Sequence, residues 1–147
     1  MDKGRVKQMT AREYLNYVRS IDNRMKIQEE RIGQLEKDIC SIQALDYTKD
    51  KVTGTKVTDI SDKIARLDAL RKEANKQWDK LLREREAARA IIEMMENTVE
   101  QRLLIGRYLR NKNWEKLCVE MEYSWRGIFK IHREALRNFG RHYKRVH

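Results

Sequence analysis

The sequence predicts an all-α protein in which a long helical hairpin precedes a C-terminal domain of short helices. Alanine, glutamate, leucine, lysine and arginine make up nearly half of the 147 residues, and this composition is typical of long helices and coiled coils. The chain contains no proline and only six glycines, so few residues interrupt a helix. Apolar residues also recur every three to four positions over long stretches, which is the period of an α-helix.

The first helix is predicted to begin at Thr10, because Thr10 and Glu13 have the S/T-x-x-E spacing of a capping box. Apolar residues then alternate at intervals of three and four, which places them along one side of a helix. Gln28 is the one polar residue of this series, and we interpret it as a residue that sets the register of paired helices. The series consists of Val18, Ile21, Met25, Gln28, Ile32, Leu35, Ile39 and Ile42.

A loop is predicted at about residues 43–58, where the apolar periodicity stops and Asp, Thr and Gly become frequent. Thr58 or Asp59 is the expected N-cap of the second helix. Two long helices joined by one loop should pack as an antiparallel hairpin. We therefore predict a two-helix coiled-coil stalk at residues 1–97, through which a homodimer could form. The second apolar series contains Ile60, Ile64, Leu67, Arg71, Ala74, Trp78, Leu81, Arg85, Ala88, Ile92 and Met95.

Residues 98–147 are predicted to form a separate basic domain. They contain 12 Lys and Arg against 5 Asp and Glu, whereas residues 1–97 contain 21 against 18. A new capping box is expected at Thr98 and Gln101, directly after Asn97. Three short helices are expected at about 99–110, at 114–121 and at 125 to about 143.

The second and third short helices are predicted to form a helix-turn-helix. Asn113 and Ser124 stand immediately before them and are both good N-cap residues. Glu122-Tyr123-Ser124 is the expected turn. The side chains expected to face inward are Leu117, Cys118, Met121, Ile128, Ile131 and Ala135.

The last helix is predicted to have one cationic face. At 100° per residue, six cations fall along one line, whereas Ile128, Ile131, Ala135 and Phe139 lie on the opposite side. Such a helix fits the major groove of double-stranded DNA, with most cations on phosphates and one or two at base edges. The six cations are Arg126, Lys130, Arg133, Arg137, Arg141 and Lys144.

The N-terminal end of this helix is expected to read the DNA sequence, since recognition helices contact bases there. Its candidates are Trp125, Arg126, Phe129 and Lys130, with Arg126 expected to pair with guanine and Phe129 to meet a thymine methyl group. RNA and a solvated basic surface remain as alternatives. An anionic membrane is less favoured, because the helix also carries Glu134 and forms part of a three-helix core.

Residue patterns typical of enzymes and metal sites are lacking in the sequence. No glycine-rich phosphate loop and no recognisable Ser/His or Cys/His pairing occurs, so we expect neither an enzyme nor a cofactor. His132, His142 and His147 have no second ligand at metal spacing. Cys40 and Cys118 lie at apolar helical positions, where core packing is expected. The sequence has no apolar stretch typical of a membrane span or of a signal peptide, so we expect a cytoplasmic location and no membrane partner.

The segment NWEKLCVEMEYSWRGIFKIHREAL, Asn113 to Leu136, resembles the region-four helix-turn-helix of bacterial sigma factors. It is more similar to phage proteins of the ArpU and RinA type, which are small sigma-like regulators of late phage genes. The segment LDYTKDKVT from Leu45 to Thr53 also resembles a loop of these proteins, so the likeness covers most of residues 12–143. Two departures are Gly127 inside the recognition helix and a turn without glycine.

This resemblance implies a phage-encoded, DNA-binding transcription regulator that acts in the bacterial host cytoplasm and contacts host RNA polymerase. One alternative is a recognition protein similar to the small subunit of phage DNA-packaging machinery. Such proteins resemble the chain less, because they commonly carry the DNA-binding unit at the N-terminus and assemble as rings. A third interpretation is a coiled-coil interaction protein with a basic tail.

Overall fold

The computed structural model describes residues 9–48 and 54–147, and all regular structure in these residues is helical. The predicted all-α class is therefore confirmed. By their contacts, the described residues divide into two compact units, one of residues up to Asp22 with Arg83–His147 and one of Asn23–Leu82. This division differs from the change of charge at residue 97. The helices are α1 (Ala11–Thr48), α2 (Gly54–Glu93), α3 (Thr98–Leu104), α4 (Trp114–Met121) and α5 (Trp125–Val146).

Helix α1 begins at the predicted capping box. The backbone N–H of Thr10 donates to Glu13 Oε2 at 3.1 Å, and the backbone N–H of Glu13 donates to Thr10 Oγ1 at 3.2 Å. Two N–H groups that the first turn leaves without intrahelical partners are thereby satisfied.

The predicted loop at 43–58 is too long. Helix α1 continues to Thr48 and α2 begins at Gly54, so Thr58 and Asp59 lie inside α2 and neither is its N-cap. Residues 49–53, with much of the segment that resembles a phage-protein loop, lie outside the described residues. Asp and Thr cost less than about 1 kcal/mol each in a helix relative to Ala. The end of the apolar periodicity therefore does not show where the helix ends.

The unit Asn23–Leu82 is built from α1 and α2, and both apolar series contribute to its interior. Both helices contribute buried apolar side chains to this unit, which is compatible with the predicted hairpin. Cys40 is exposed, so the prediction that it packs in the core is wrong. It follows the buried Ile39 by one residue, which is a rotation of 100° about the helix axis. The buried residues are Met25, Leu35, Ile39, Ala74 and Leu81.

The other unit contains an apolar cluster formed by α3, α4 and α5. Its central side chains are buried, and Trp114, Cys118, Phe129 and Ile131 pack around them half-buried. All six side chains predicted to face inward between the last two helices are therefore buried or half-buried. The central members are Leu103, Leu117, Met121 and Ile128.

The short helices begin at side-chain caps. Asn113 Oδ1 accepts from the N–H of Lys116 at 2.8 Å, and Ser124 Oγ accepts from the N–H of Gly127 at 3.0 Å, as predicted. The cap of α3 is Asn97, however, whose Oδ1 accepts from the N–H groups of the second and third helical residues. The capping box expected at Thr98 is wrong because the amide of Asn97 is a good N-cap and already satisfies these donors.

The segment after α3 is wound more loosely than the predicted α-helix at 99–110. A π-helical turn, Ile105–Leu109, follows Leu104, and the chain then reaches Asn111 in the left-handed conformation at φ 53°. The turn between α4 and α5 uses the same conformation at Glu122, at φ 59°. A residue other than glycine thus supplies the positive φ of this turn.

The last turns of α5 pack against the first turns of α1. The Tyr14 ring centroid lies 6.1 Å from that of Phe139, 4.8 Å from that of Tyr143 and 5.6 Å from that of His147. Helix α5 accordingly continues to Val146, slightly beyond the predicted end near Tyr143. The N-terminal part of α1 therefore belongs to the same unit as the basic helices.

Gly106→Ala is expected to lower the free energy of unfolding by about 1–3 kcal/mol. A Cβ at this position would lie 2.8 Å from Leu117 Cδ2, and Leu117 is buried in the apolar cluster. Gly33→Ala is the matched control, because a Cβ there meets nothing within 4 Å and should raise stability by about 1 kcal/mol. Urea denaturation measures both variants, and a stabilised Gly106→Ala protein would contradict the packing described here.

Candidate nucleic-acid interface

The cations predicted along α5 form one exposed face of the helix. All six are exposed, and Ile128, Ala135 and Phe139 on the opposite side are each 0% exposed. We call these six residues the cationic face: Arg126, Lys130, Arg133, Arg137, Arg141 and Lys144.

Carboxylates neutralise little of the cationic face. Within residues 9–48 and 54–147, the single ion pair that involves this face joins Arg137 to Glu134 at 3.3 Å on the same helix. Both side chains of this pair are more than half exposed, and pairs of this kind contribute at most about 1 kcal/mol. The other five cations are available to an external anion.

The N-terminal end of α5 carries an exposed indole supported by other rings. Trp125 is 54% exposed, and its ring stands edge-on to Phe129 with centroids 5.2 Å apart. Phe129 in turn packs on Trp114 at 4.6 Å. Of the four residues predicted to contact bases, Trp125, Arg126 and Lys130 are exposed. Phe129 is half-buried and packs against the indole of Trp125.

A buried histidine, whose structural role the sequence did not predict, lies beneath the cationic face. His132 is buried, and its Nε2 lies 2.7 Å from Tyr108 Oη. Burial, as the main cause, and the positive charges of Arg12 and Arg107 together lower the pKa of His132 to about 4. His132 follows Ile128 by four residues and precedes Ala135 by three. The helical spacing of the sequence therefore places His132 on the same side of α5 as these buried residues.

A second buried polar pair joins α3 to α5. Glu100 is 4% exposed, and Asn138 Nδ2 lies 2.9 Å from each of its carboxylate oxygens. Glu100 also lies in the first turn of α3, where the helix dipole favours a negative charge. Since Asn138 follows Arg137 directly, this contact fixes the rotation of α5 in the middle of the cationic face.

Metal-binding clusters and membrane-spanning helices are both absent from the described residues. In residues 9–48 and 54–147 no group of three or more His, Cys, Asp or Glu side chains is placed to hold a metal ion. No helix in this part of the chain is long and apolar enough to cross a membrane. No protein-family model, curated protein or solved structure matches the chain significantly.

Acidification is expected to destabilise the protein through His132. Because the pKa in the folded state lies near 4, below the value of 6.5 for a free histidine, the unfolded chain binds this proton more tightly. Stability is therefore fully present above pH 6.5 and falls as the pH decreases towards 4, by on the order of 3 kcal/mol. His132→Gln can still accept a hydrogen bond from Tyr108 and has no proton to bind, so its stability should fall less over this range. Identical pH profiles of urea unfolding for both proteins would contradict this assignment.

Asn138→Ala is expected to lower the free energy of unfolding by about 1–3 kcal/mol, because it leaves the buried Glu100 carboxylate without its amide donor. The neighbouring substitution Arg137→Ala, on the exposed side, should change stability by less than about 0.5 kcal/mol. Thermal unfolding followed by circular dichroism compares the two variants. Equal effects would show that the contact between Asn138 and Glu100 does not hold α5 in place.

Proposed function

We propose that this protein binds duplex DNA through the cationic face of α5 and acts as a regulator of transcription. The observation that carries the proposal is the division of one helix into a buried apolar side and an exposed row of six cations, which makes one ion pair within the described part of the chain. The row runs from residue 126 to residue 144, which is about 27 Å at 1.5 Å per residue. A row of this length follows a helix laid in the major groove and reaches the flanking phosphates.

The arrangement of α4 and α5 supports a helix-turn-helix interpretation. Three residues, Glu122 to Ser124, connect the two helices, and Glu122 adopts the left-handed conformation that turns the chain sharply. The two helices share the apolar cluster through Leu117, Met121 and Ile128. In DNA-binding proteins of this kind, the second helix enters the major groove and its N-terminal residues contact bases.

The residues of α5 divide into two roles in this proposal. Trp125, Arg126 and Lys130 meet base edges, since they are exposed at the N-terminal end. Arginine pairs with guanine through two hydrogen bonds, and an apolar surface such as an indole fits a thymine methyl group. Phe129 acts through its contact with Trp125, at 5.2 Å. The cations that bind phosphates are Arg133, Arg137, Arg141 and Lys144.

The regulatory part of the proposal rests on the resemblance of Asn113–Leu136 to region four of sigma factors and to phage regulators of the ArpU and RinA type. Proteins of this kind position transcription machinery by binding DNA. Contact with host RNA polymerase and self-association through α1 and α2 are further parts of the same proposal.

Binding to duplex DNA is expected to weaken steeply with salt. If about six cations meet phosphates, the logarithm of the association constant falls against the logarithm of the salt concentration with a slope near −5. Arg133→Gln combined with Arg141→Gln should make this slope less negative by about 2. The control is Arg31→Gln with Arg66→Gln, two exposed arginines of α1 and α2, which should leave it unchanged. Fluorescence anisotropy at several salt concentrations measures the slope. An association constant of the unaltered protein that does not change with salt would contradict the proposal.

Specific reading of the sequence is tested by selecting bound fragments from random duplex DNA. Arg126→Ala with Lys130→Ala should then reduce the preference for the selected fragment over random duplex. Arg133→Gln with Arg141→Gln should weaken binding to both about equally, because phosphate contacts carry no direct base information. If the first pair of substitutions leaves the preference intact, the N-terminal end of α5 does not read bases.

A further inference from the structure

A pocket with a cationic lining lies where α3 meets the π-helical turn. Its volume is about 340 Å³, which is within the range of small-molecule sites. Among the described residues, three cations line this pocket and no carboxylate does. We call it the cationic pocket. Its polar and charged lining residues are Thr98, Gln101, Arg102, Arg110 and Lys112.

Two of the three cations are held in place by contacts with the last turn of α4. Lys112 Nζ lies 2.6 Å from Glu120 Oε2, and Lys112 Cδ lies 3.6 Å from the place that a Cβ would take on Gly106. Arg102 Nη2 donates to the backbone oxygen of Glu120 at 3.2 Å. A ligand therefore does not have to order these two long side chains, which lowers the entropic cost of binding it.

The charges of the cationic pocket are only partly balanced within the described residues. Glu120 pairs with Lys112, whereas the contact of Arg102 is with a backbone oxygen, which carries no net charge. Arg110 is exposed and makes no ion pair in residues 9–48 and 54–147. Two positive charges at one pocket thus remain available to an external anion.

The irregular backbone after α3 is what brings Arg110 and Lys112 to the same pocket. In a continuing α-helix these residues would lie about 200° apart around the axis, on opposite sides. Here Asn111 between them is left-handed at φ 53°, and the N–H of Lys112 donates to the backbone oxygen of Gly106 at 3.0 Å. Such irregular turns are frequent at functional sites, where their strain serves to place side chains.

We propose that the cationic pocket binds a phosphate group. Guanidinium groups donate paired hydrogen bonds to phosphate oxygens, and an ammonium group adds a compact charge. The Thr98 hydroxyl supplies a further donor. A phosphate group can carry two negative charges, which match Arg102 and Arg110, whereas a carboxylate carries one. The group can belong to a free phosphate compound or to a nucleic-acid backbone, and the inference does not depend on DNA binding by α5.

Isothermal titration calorimetry with inorganic pyrophosphate at constant ionic strength tests the cationic pocket. The unaltered protein should bind with a dissociation constant on the order of 1 mM or tighter. Arg102→Gln with Arg110→Gln should weaken binding at least about tenfold, because two charged donors are lost. Arg110→Gln alone should weaken it without lowering the melting temperature, since Arg110 is exposed. The matched control is Arg133→Gln with Arg141→Gln, which removes the same charge from α5 and should leave pyrophosphate binding unchanged.

The salt slope of duplex binding identifies the source of the phosphate group. A slope that becomes less negative by about 2 in Arg102→Gln with Arg110→Gln would assign the cationic pocket to the DNA backbone. An unchanged slope with weakened pyrophosphate binding would assign it to a free phosphate compound. Pyrophosphate binding without any duplex binding would overturn the proposed function and support this inference.

Three results would overturn the inference. The first is that Arg102→Gln with Arg110→Gln changes neither pyrophosphate binding nor the salt slope. The second is an equal loss of pyrophosphate binding in Arg133→Gln with Arg141→Gln, because the attraction would then come from the net charge of the protein. The third is binding of malonate, a dianion without phosphorus, as tightly as pyrophosphate.

Discussion

The rotation of α5 about its own axis is the constraint on which the rest of the candidate interface depends. Ile128, Ala135 and Phe139 are fully buried on one side of this helix, and burial of a large apolar side chain contributes about 1.5–3 kcal/mol. A rotation of 100° would expose these side chains and turn arginines towards the core, where an unpaired charge is very costly. Packing of the apolar side therefore directs all six cations outwards.

Two buried polar contacts make this orientation more specific than apolar packing alone. His132 meets Tyr108 and Asn138 meets Glu100, so α5 is joined to the π-helical turn and to α3 by groups that require defined partners. A buried polar group that loses its partner costs more than an apolar contact that shifts slightly. The helix is thus held against small rotations that a purely apolar surface would tolerate. His132 must also remain neutral to fit this position, since it lies near two arginines and is buried.

Helix α5 is supported at both ends by elements that are distant in sequence. Its first turn rests on Trp114 of α4 through Phe129, and its last turns stack on Tyr14 of α1. The N-terminal segment of α1 consequently belongs to the same compact unit as the basic helices. The sequence, by contrast, assigns these first turns of α1 to the predicted stalk.

The sequence by itself determined the all-α class, the start of α1 at its capping box, both boundaries of α4 and the start of α5. These features depend on interactions between residues three or four apart, such as the contact of Ser124 with Gly127, and such interactions can be read along the chain. Helical spacing likewise placed the cations of α5 on one face. Only the tertiary structure decided that Phe129 contacts Trp125, that Asn138 binds Glu100 and that Arg107 lies over the ring of Trp114. These contacts join residues on different elements or depend on how deeply a helix packs, and no local spacing encodes that depth.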